Sequence, residues 1–391
     1  MWVSAMTAIT GQFCRRRGQE ERRPGVRFRK RLAGNPTRVS KIAEQRRDAD
    51  TTQPSAGPIS GLVGAMLSAP RAAAPLTAAP AEEAARLAAL VADPLGDDDL
   101  QLALYLCFEL HYRSLPGVDP AWEWDPSLLA LRAVLEQAFF DALEAELGPG
   151  EPVDPAQVGD LLFRLEAEDD GVALSRQLEV EAGIEEFREF VVHRSFYQLK
   201  ESDPHSWAIP RLDGAAKTAL LEVQADEYGG GRVERMHSRL FAKTMRALGL
   251  DDRENAYLRY APGRTLATVN LMSATGLRRS RRGAIVGHLA MFEMTSALPN
   301  RRYGNALRRL GFDAEATDFY DEHVEADAVH ENIAAYDLAG GLARQEPELA
   351  ADILFGARAL LLLEDRLGRH LIEAWEEGRS SLRLPLAGAG L

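Results

Sequence analysis

The sequence predicts an all-α fold, and three observations carry that prediction. Apolar residues recur at helical spacing in one segment after another between residues 81 and 377, with Pro or Gly at the borders. Alternating β-branched runs joined by hairpin turns are not found. Only Cys14 and Cys107 occur in 391 residues. That excludes a multi-disulfide framework and Cys-rich zinc or iron–sulfur sites, and it fits a reducing cytoplasm. The chain is long enough for one or two globular domains. No apolar run approaches the roughly 18 to 20 residues of a membrane-spanning helix, so a soluble protein without a membrane partner is expected.

Taken in order, the chain begins with a basic arm. Residues 1–50 hold 13 Lys/Arg and 5 Asp/Glu, whereas the other 341 residues hold 33 basic and 54 acidic groups. An acidic body repels phosphate backbones, so no nucleic-acid partner is expected. The arm itself (Arg15, Arg16, Arg17, then Arg29, Lys30, Arg31) has neither interleaved aromatics nor an apolar stretch after it, and reads as a disordered leader. From residue 51 to about 80 the chain is Ala, Pro, Gly and Ser without a lasting period, and reads as linker. Residues 1–80 are therefore expected to be a disordered arm. Order is expected to begin near Ala81, with helices over 98–112, 128–147 and 158–167 making an N-terminal helical region, 81–175. The first of these carries apolar positions on more than one face, as a buried helix does. A bundle over 176–385 follows, with helices at 184–199, 214–248 (interrupted by Gly229, Gly230 and Gly231), 255–275, 281–297, 304–310, 313–339 and 347–377. There is no internal repeat at a solenoid period.

The chemistry concentrates in three places. His323, Asp327 and His330 are spaced i, i+4, i+7, which puts two imidazoles and a carboxylate within roughly 60° of one another on a helical face. Glu234 and His237 form Glu-x-x-His, the arrangement that inward-facing helices of carboxylate di-iron proteins use. Upstream, Glu227 precedes the three glycines. In an unbroken helix it would lie about 15 Å from His237, so both can serve one site only if the glycines bend or unwind the segment. Glu293 sits in the apolar stretch 285–294, where a buried charge needs a partner or a metal. Carboxylates with a few imidazoles and no thiolate suit non-haem iron or manganese.

The runs LEVQADEYGGGRVERMHSRLF and HLAMFEMTS, followed by His-x3-Asp-x2-His, resemble the haem-oxygenase-like di-iron oxidases and oxygenases, the iron-containing redox enzymes. The similarity extends from about residue 100 to 375, where LALYLCFELHY and PAWEWDP also look like the family. It implies a haem-oxygenase-like bundle with metal ligands on three core helices. Those positions are held here by Glu227 and His237, by Glu293, and by His323, Asp327 and His330. Glu234 matches an alternative position for the first carboxylate. Glu201 could match an extra carboxylate of an N-oxygenating branch, although a loop acid reads more simply as surface. The resemblance further implies two Fe ions (Fe2+/Fe3+), with manganese an option at one or both positions. It implies O2-dependent oxidation of a small molecule in specialised metabolism, by N-oxygenation or by attack on C–H or C–C bonds. A homodimer stays open. The competing readings are a haem-binding protein with one axial His, or a metal-free helical binding protein. His111 and His205 read as packing or capping residues, His193 as an ordinary helix-surface or core histidine, Tyr228 and Tyr336 as packing, and His288 and His370 receive no role.

Overall fold

The computed structural model describes residues 53–73, 76–150 and 152–386, apart from the side chains of residues 73 and 325–329. Among the described residues every regular element is helical, so the all-α fold is as predicted. The expectation of a disordered arm over 1–50 lies outside the described residues. The described residues form one compact unit in which the N-terminal helices and the bundle share a core.

One expectation is corrected at the start of that unit. The Ala/Pro/Gly stretch read as linker contains helix α1 (Pro58–Leu67), which buries Ile59, Val63 and Leu67 along one row. Pro58 is preset for a first helical turn. The amides of that turn that have no partner within the helix, Ile59 N–H and Ser60 N–H, donate to the Asp99 carboxylate at 2.7 Å each. Burying three such side chains contributes about 1.5–3 kcal/mol apiece, which offsets the ordering cost that composition alone suggested could not be met. Helices α2 (Ala79–Ala88), α3 (Asp98–Glu109), α4 (Pro126–Leu147) and α5 (Val158–Glu168) follow. Asp97 and Asp125 cap α3 and α4 by accepting the first free backbone N–H groups. Helix α3 is buried on all sides from Leu100 to Glu109, as its unbroken apolar pattern predicts.

The bundle consists of α6 (Leu174–Val180), α7 (Ile184–Gln198), α8 (Gly214–Glu227), α9 (His237–Ala247), α10 (Gly263–Gly276), α11 (Arg282–Arg309), α12 (Ala314–Asn332), α13 (Gly340–Gln345) and α14 (Ala350–Glu376). Helix α11 runs unbroken where two helices were expected, although Pro299 lies inside it. The helix is half-exposed there, and the Thr295 and Ser296 hydroxyls donate to the carbonyls of Met291 and Glu293. The proline's missing N–H releases the Thr295 carbonyl four residues back, on a stretch that solvent reaches. Helix α12 passes into a π-helical stretch, Ile333–Ala339, before α13. Helices α11 and α14 cross with backbones almost touching. A Cβ on Gly287 would lie 1.8 Å from the Ile353 carbonyl oxygen, and one on Gly356 would lie 1.9 Å from that of Ala284. Only glycine fits at this crossing.

Candidate metal centre

The break after α8 assembles the first part of the site. Gly229 adopts φ 70°, and a Cβ there would lie 2.7 Å from both the Arg235 carbonyl carbon and the Met236 nitrogen. Gly230 and Gly231 also take positive φ, a conformation that glycine enters without steric cost. The chain therefore unwinds through two 3-10 turns and re-enters helix at His237. Glu227 and His237, about 15 Å apart in a straight helix, meet with Oε2 and Nδ1 at 3.0 Å.

Two other helices bring the remaining groups. Helix α12 presents His323, whose Nδ1 lies 2.8 Å from the Phe319 carbonyl oxygen. That contact makes Nδ1 the protonated nitrogen and leaves Nε2 facing Glu201 Oε1 at 3.5 Å. One turn and three residues on, His330 directs Nδ1 toward Glu293 Oε2 of α11 at 3.3 Å and Nε2 toward the Asp226 carboxylate at 3.0 Å. Two groups of potential ligand atoms result, each within 4.8 Å: Glu201, Glu227, His237 and His323, and then Glu227, Glu293 and His330. Glu227 belongs to both. All six residues are buried.

Glu201 is the residue that sequence reading treated as surface. It is 4% exposed, on the turn between α7 and the helical turn Asp203–Ser206. Its spacing carried no periodic signal, so only the family pattern could have pointed to it. Glu234 stands on the exposed 3-10 turn Val233–Arg235 and joins neither group. Asp327 lies on α12 between His323 and His330, but its side chain falls outside the described residues. His193 hydrogen-bonds Thr265 and Ser381, His205 lies 3.1 Å from His288, and Tyr336 is exposed against Asp160. Tyr228 is not simply packing, because its hydroxyl donates to Asp203 and so ties the end of α8 to the Glu201 turn.

Electrostatics fit a cation. Burial pushes the carboxyl pKa values of Glu201, Glu227 and Glu293 above the ordinary range, and the positive charges that draw them back are those of histidines. Burial opposes the charged form of His330, yet the hydrogen bond and charge of Glu293, with Asp226 and Glu227 behind them, carry its pKa up to about 9. Glu201 Oε2 is buried without a hydrogen-bond partner among the described residues. Buried oxygens and imidazole nitrogens that converge without lysine or arginine, one of them orphaned, are the donor set of a hard-to-borderline divalent metal.

Residues 188–365 match the family described as iron-containing redox enzymes. This segment belongs to that family. It takes in a little under half of the chain and all of the residues in both groups. Nitrosourea synthase of Streptomyces achromogenes subsp. streptozoticus is 28% identical over 136 residues, 35% of this chain and 29% of that protein. The match thus spans less than a third of the relative. Near the two groups of potential ligand atoms the structure leaves open space. A cavity of about 210 Å³ is lined by Phe190, Arg194, Gln198, Phe292, Phe319 and Tyr320 among others. Phe319 forms part of its wall and also packs on the His323 ring, with centroids 4.5 Å apart. Among the described residues no helix is long and apolar enough to cross a membrane.

Proposed function

We propose that this protein is a cytoplasmic, O2-dependent non-haem di-iron oxidase or oxygenase of specialised metabolism, acting on a small molecule held in the cavity beside Phe319. The observation that carries the reading is the pair of buried ligand groups sharing Glu227. Glu201, Glu227, His237 and His323 would hold one ion, and Glu227, Glu293 and His330 the other. Asp327 would join them, by its place in the His-x3-Asp-x2-His pattern. Iron, or manganese at one or both positions, would supply the electrons and open coordination sites that O2 reduction requires.

The chain's own groups prepare that chemistry. The Phe319 carbonyl fixes the His323 tautomer so that Nε2 is the nitrogen that would ligate, and Asp226 does the same for Nδ1 of His330. Three buried carboxylates offset much of the charge of two divalent ions. The aromatic wall of the cavity offers a substrate an apolar surface, and the Arg194–Glu364 pair keeps a polar end within it. The Tyr320 hydroxyl, buried without a partner among the described residues, is available to a bound substrate. Oxygen insertion at nitrogen and attack on C–H or C–C bonds are both open to this arrangement.

Anaerobic Fe(II) titration followed by mixing with O2 tests the reading. Two irons per chain and a transient visible absorbance support it, with His323→Ala losing both iron and O2 consumption while staying helical. Absence of stoichiometric iron, a Soret band on adding haem, or a His323→Ala protein that loads and reacts normally would overturn it.

A further inference from the structure

Glu201 reaches the cluster from a short irregular turn, and a turn alone does not fix a ligand to within a fraction of an ångström. The turn is tightly constrained. Lys200 N–H donates to the Tyr197 carbonyl at 2.8 Å, and Asp203 N–H to the Lys200 carbonyl at 3.1 Å. Between them Ser202 is held at φ 70°, a left-handed conformation that a serine adopts only when its surroundings impose it. The residue before Glu201 is tied to helix α3. The Lys200 ammonium is buried, paired with the Glu109 carboxylate at the end of α3, and sits 4.9 Å and 4.6 Å from the ring centres of Tyr105 and Tyr112. Glu109 is fixed in turn, since Asn255 Nδ2 donates to its other oxygen at 3.0 Å and Tyr105 donates to Asn255 at 2.7 Å. A second tie comes from Arg113, 3.7 Å from Asp203, whose carboxylate also accepts from Tyr228 next to Glu227.

A lysine and a glutamate so fully withdrawn from water are costly, and breaking such a pair leaves a bare buried charge, while replacing both with apolar groups is often tolerated. The pair is therefore weakly justified by stability and better justified by what it fixes. We infer that Glu109 and Lys200 are positioning residues for Glu201: helix α3, outside the family segment, anchors Lys200 so that the neighbouring carboxylate is presented to Glu227, His237 and His323. The inference rests on the metal-centre reading. It makes the N-terminal helices part of the centre's support.

Anaerobic titration with Co(II), followed by its visible d–d bands, tests this on the whole chain. The variants are Glu109→Gln, Lys200→Met and the double change Glu109→Leu/Lys200→Met, which removes both buried charges and guards against simple misfolding. The expected result is two cobalt equivalents for the wild type. Each variant should keep one tight equivalent, lose at least tenfold in affinity for the other, and show altered bands for that position alone. The double variant should be no worse than the singles and should keep a wild-type unfolding midpoint. Variants that load both positions as the wild type does, or that lose both equally in step with falling stability, overturn the inference and leave the metal-centre reading intact. A wild type that takes up no cobalt overturns both.

Discussion

Gly287→Ala is the sharpest perturbation of the scaffold behind Glu293. The added methyl would begin 1.8 Å from the Ile353 carbonyl oxygen, against the 3.0 Å below which Cβ contacts are essentially never seen. Helices α11 and α14 must therefore part by about 1.2 Å at their crossing, more than a packed interior absorbs without loss. Overpacking of this kind costs about 1–3 kcal/mol, and the obstacle here is backbone, which cannot rotate away, so the upper end applies. Alanine recovers about 1 kcal/mol of helix propensity, leaving a net loss of about 2 kcal/mol. Gly356→Ala meets Ala284 at the same crossing. Once one alanine has separated the helices the second costs less, so the double variant should lose less than the sum of the singles. Glu293 lies six residues, about 9 Å, further along α11, so its contact with His330 should loosen as well. Urea unfolding of the three proteins measures the costs. Gly341→Ala is the control, because its Cβ would meet nothing nearer than 4.0 Å, and it should be neutral or stabilising. Gly287→Ala as stable as Gly341→Ala, or a strictly additive double variant, would refute the reasoning.

Metal uptake should depend on pH in a definite direction. His330, with its pKa raised to about 9, carries a proton at neutral pH that a metal must displace, so apparent affinity should climb toward tenfold per pH unit below that value and level off above it. Proton release measured alongside the titration checks this, and an affinity flat between pH 6.5 and 8 would contradict it. Gly229→Ala should part Glu227 from His237. The positive φ and the 2.7 Å approach to the Arg235–Met236 backbone both resist a side chain, at a cost of about 1–3 kcal/mol. Metal binding should fall further than stability does, and unchanged loading would show that the break can be made without glycine.

What sequence revealed and what it concealed divide along a physical line. The shared face of His323 and His330 and the buried Glu293 were legible because helical geometry and an apolar neighbourhood are local properties. The meeting of Glu227 and His237 was legible only as a condition, since the glycines permit a break without specifying its path. Glu201 was not, because its burial comes from Lys200 being drawn toward Glu109, a contact between residues 91 positions apart. Helix α1 was missed for a similar reason. Its Ile59, Val63 and Leu67 row is short, and the Asp99 carboxylate that caps its first turn belongs to another helix. The break expected between 297 and 304 is absent because the partial exposure that accommodates Pro299 belongs to the folded state.

The sharing of Glu227 also governs how the centre comes into being. Its three carboxylates and three imidazoles are gathered from one turn and four helices spread over residues 201–330. In a half-folded chain those acids would be scattered and solvated, and no subset of neighbouring helices brings both groups together. Assembly must wait until long-range contacts close, the slow part of folding for any chain. A metal captured there would then act as a latch on the finished bundle: ligand that binds only the native state stabilises it by mass action, and opening any one of the four helices would have to release it first.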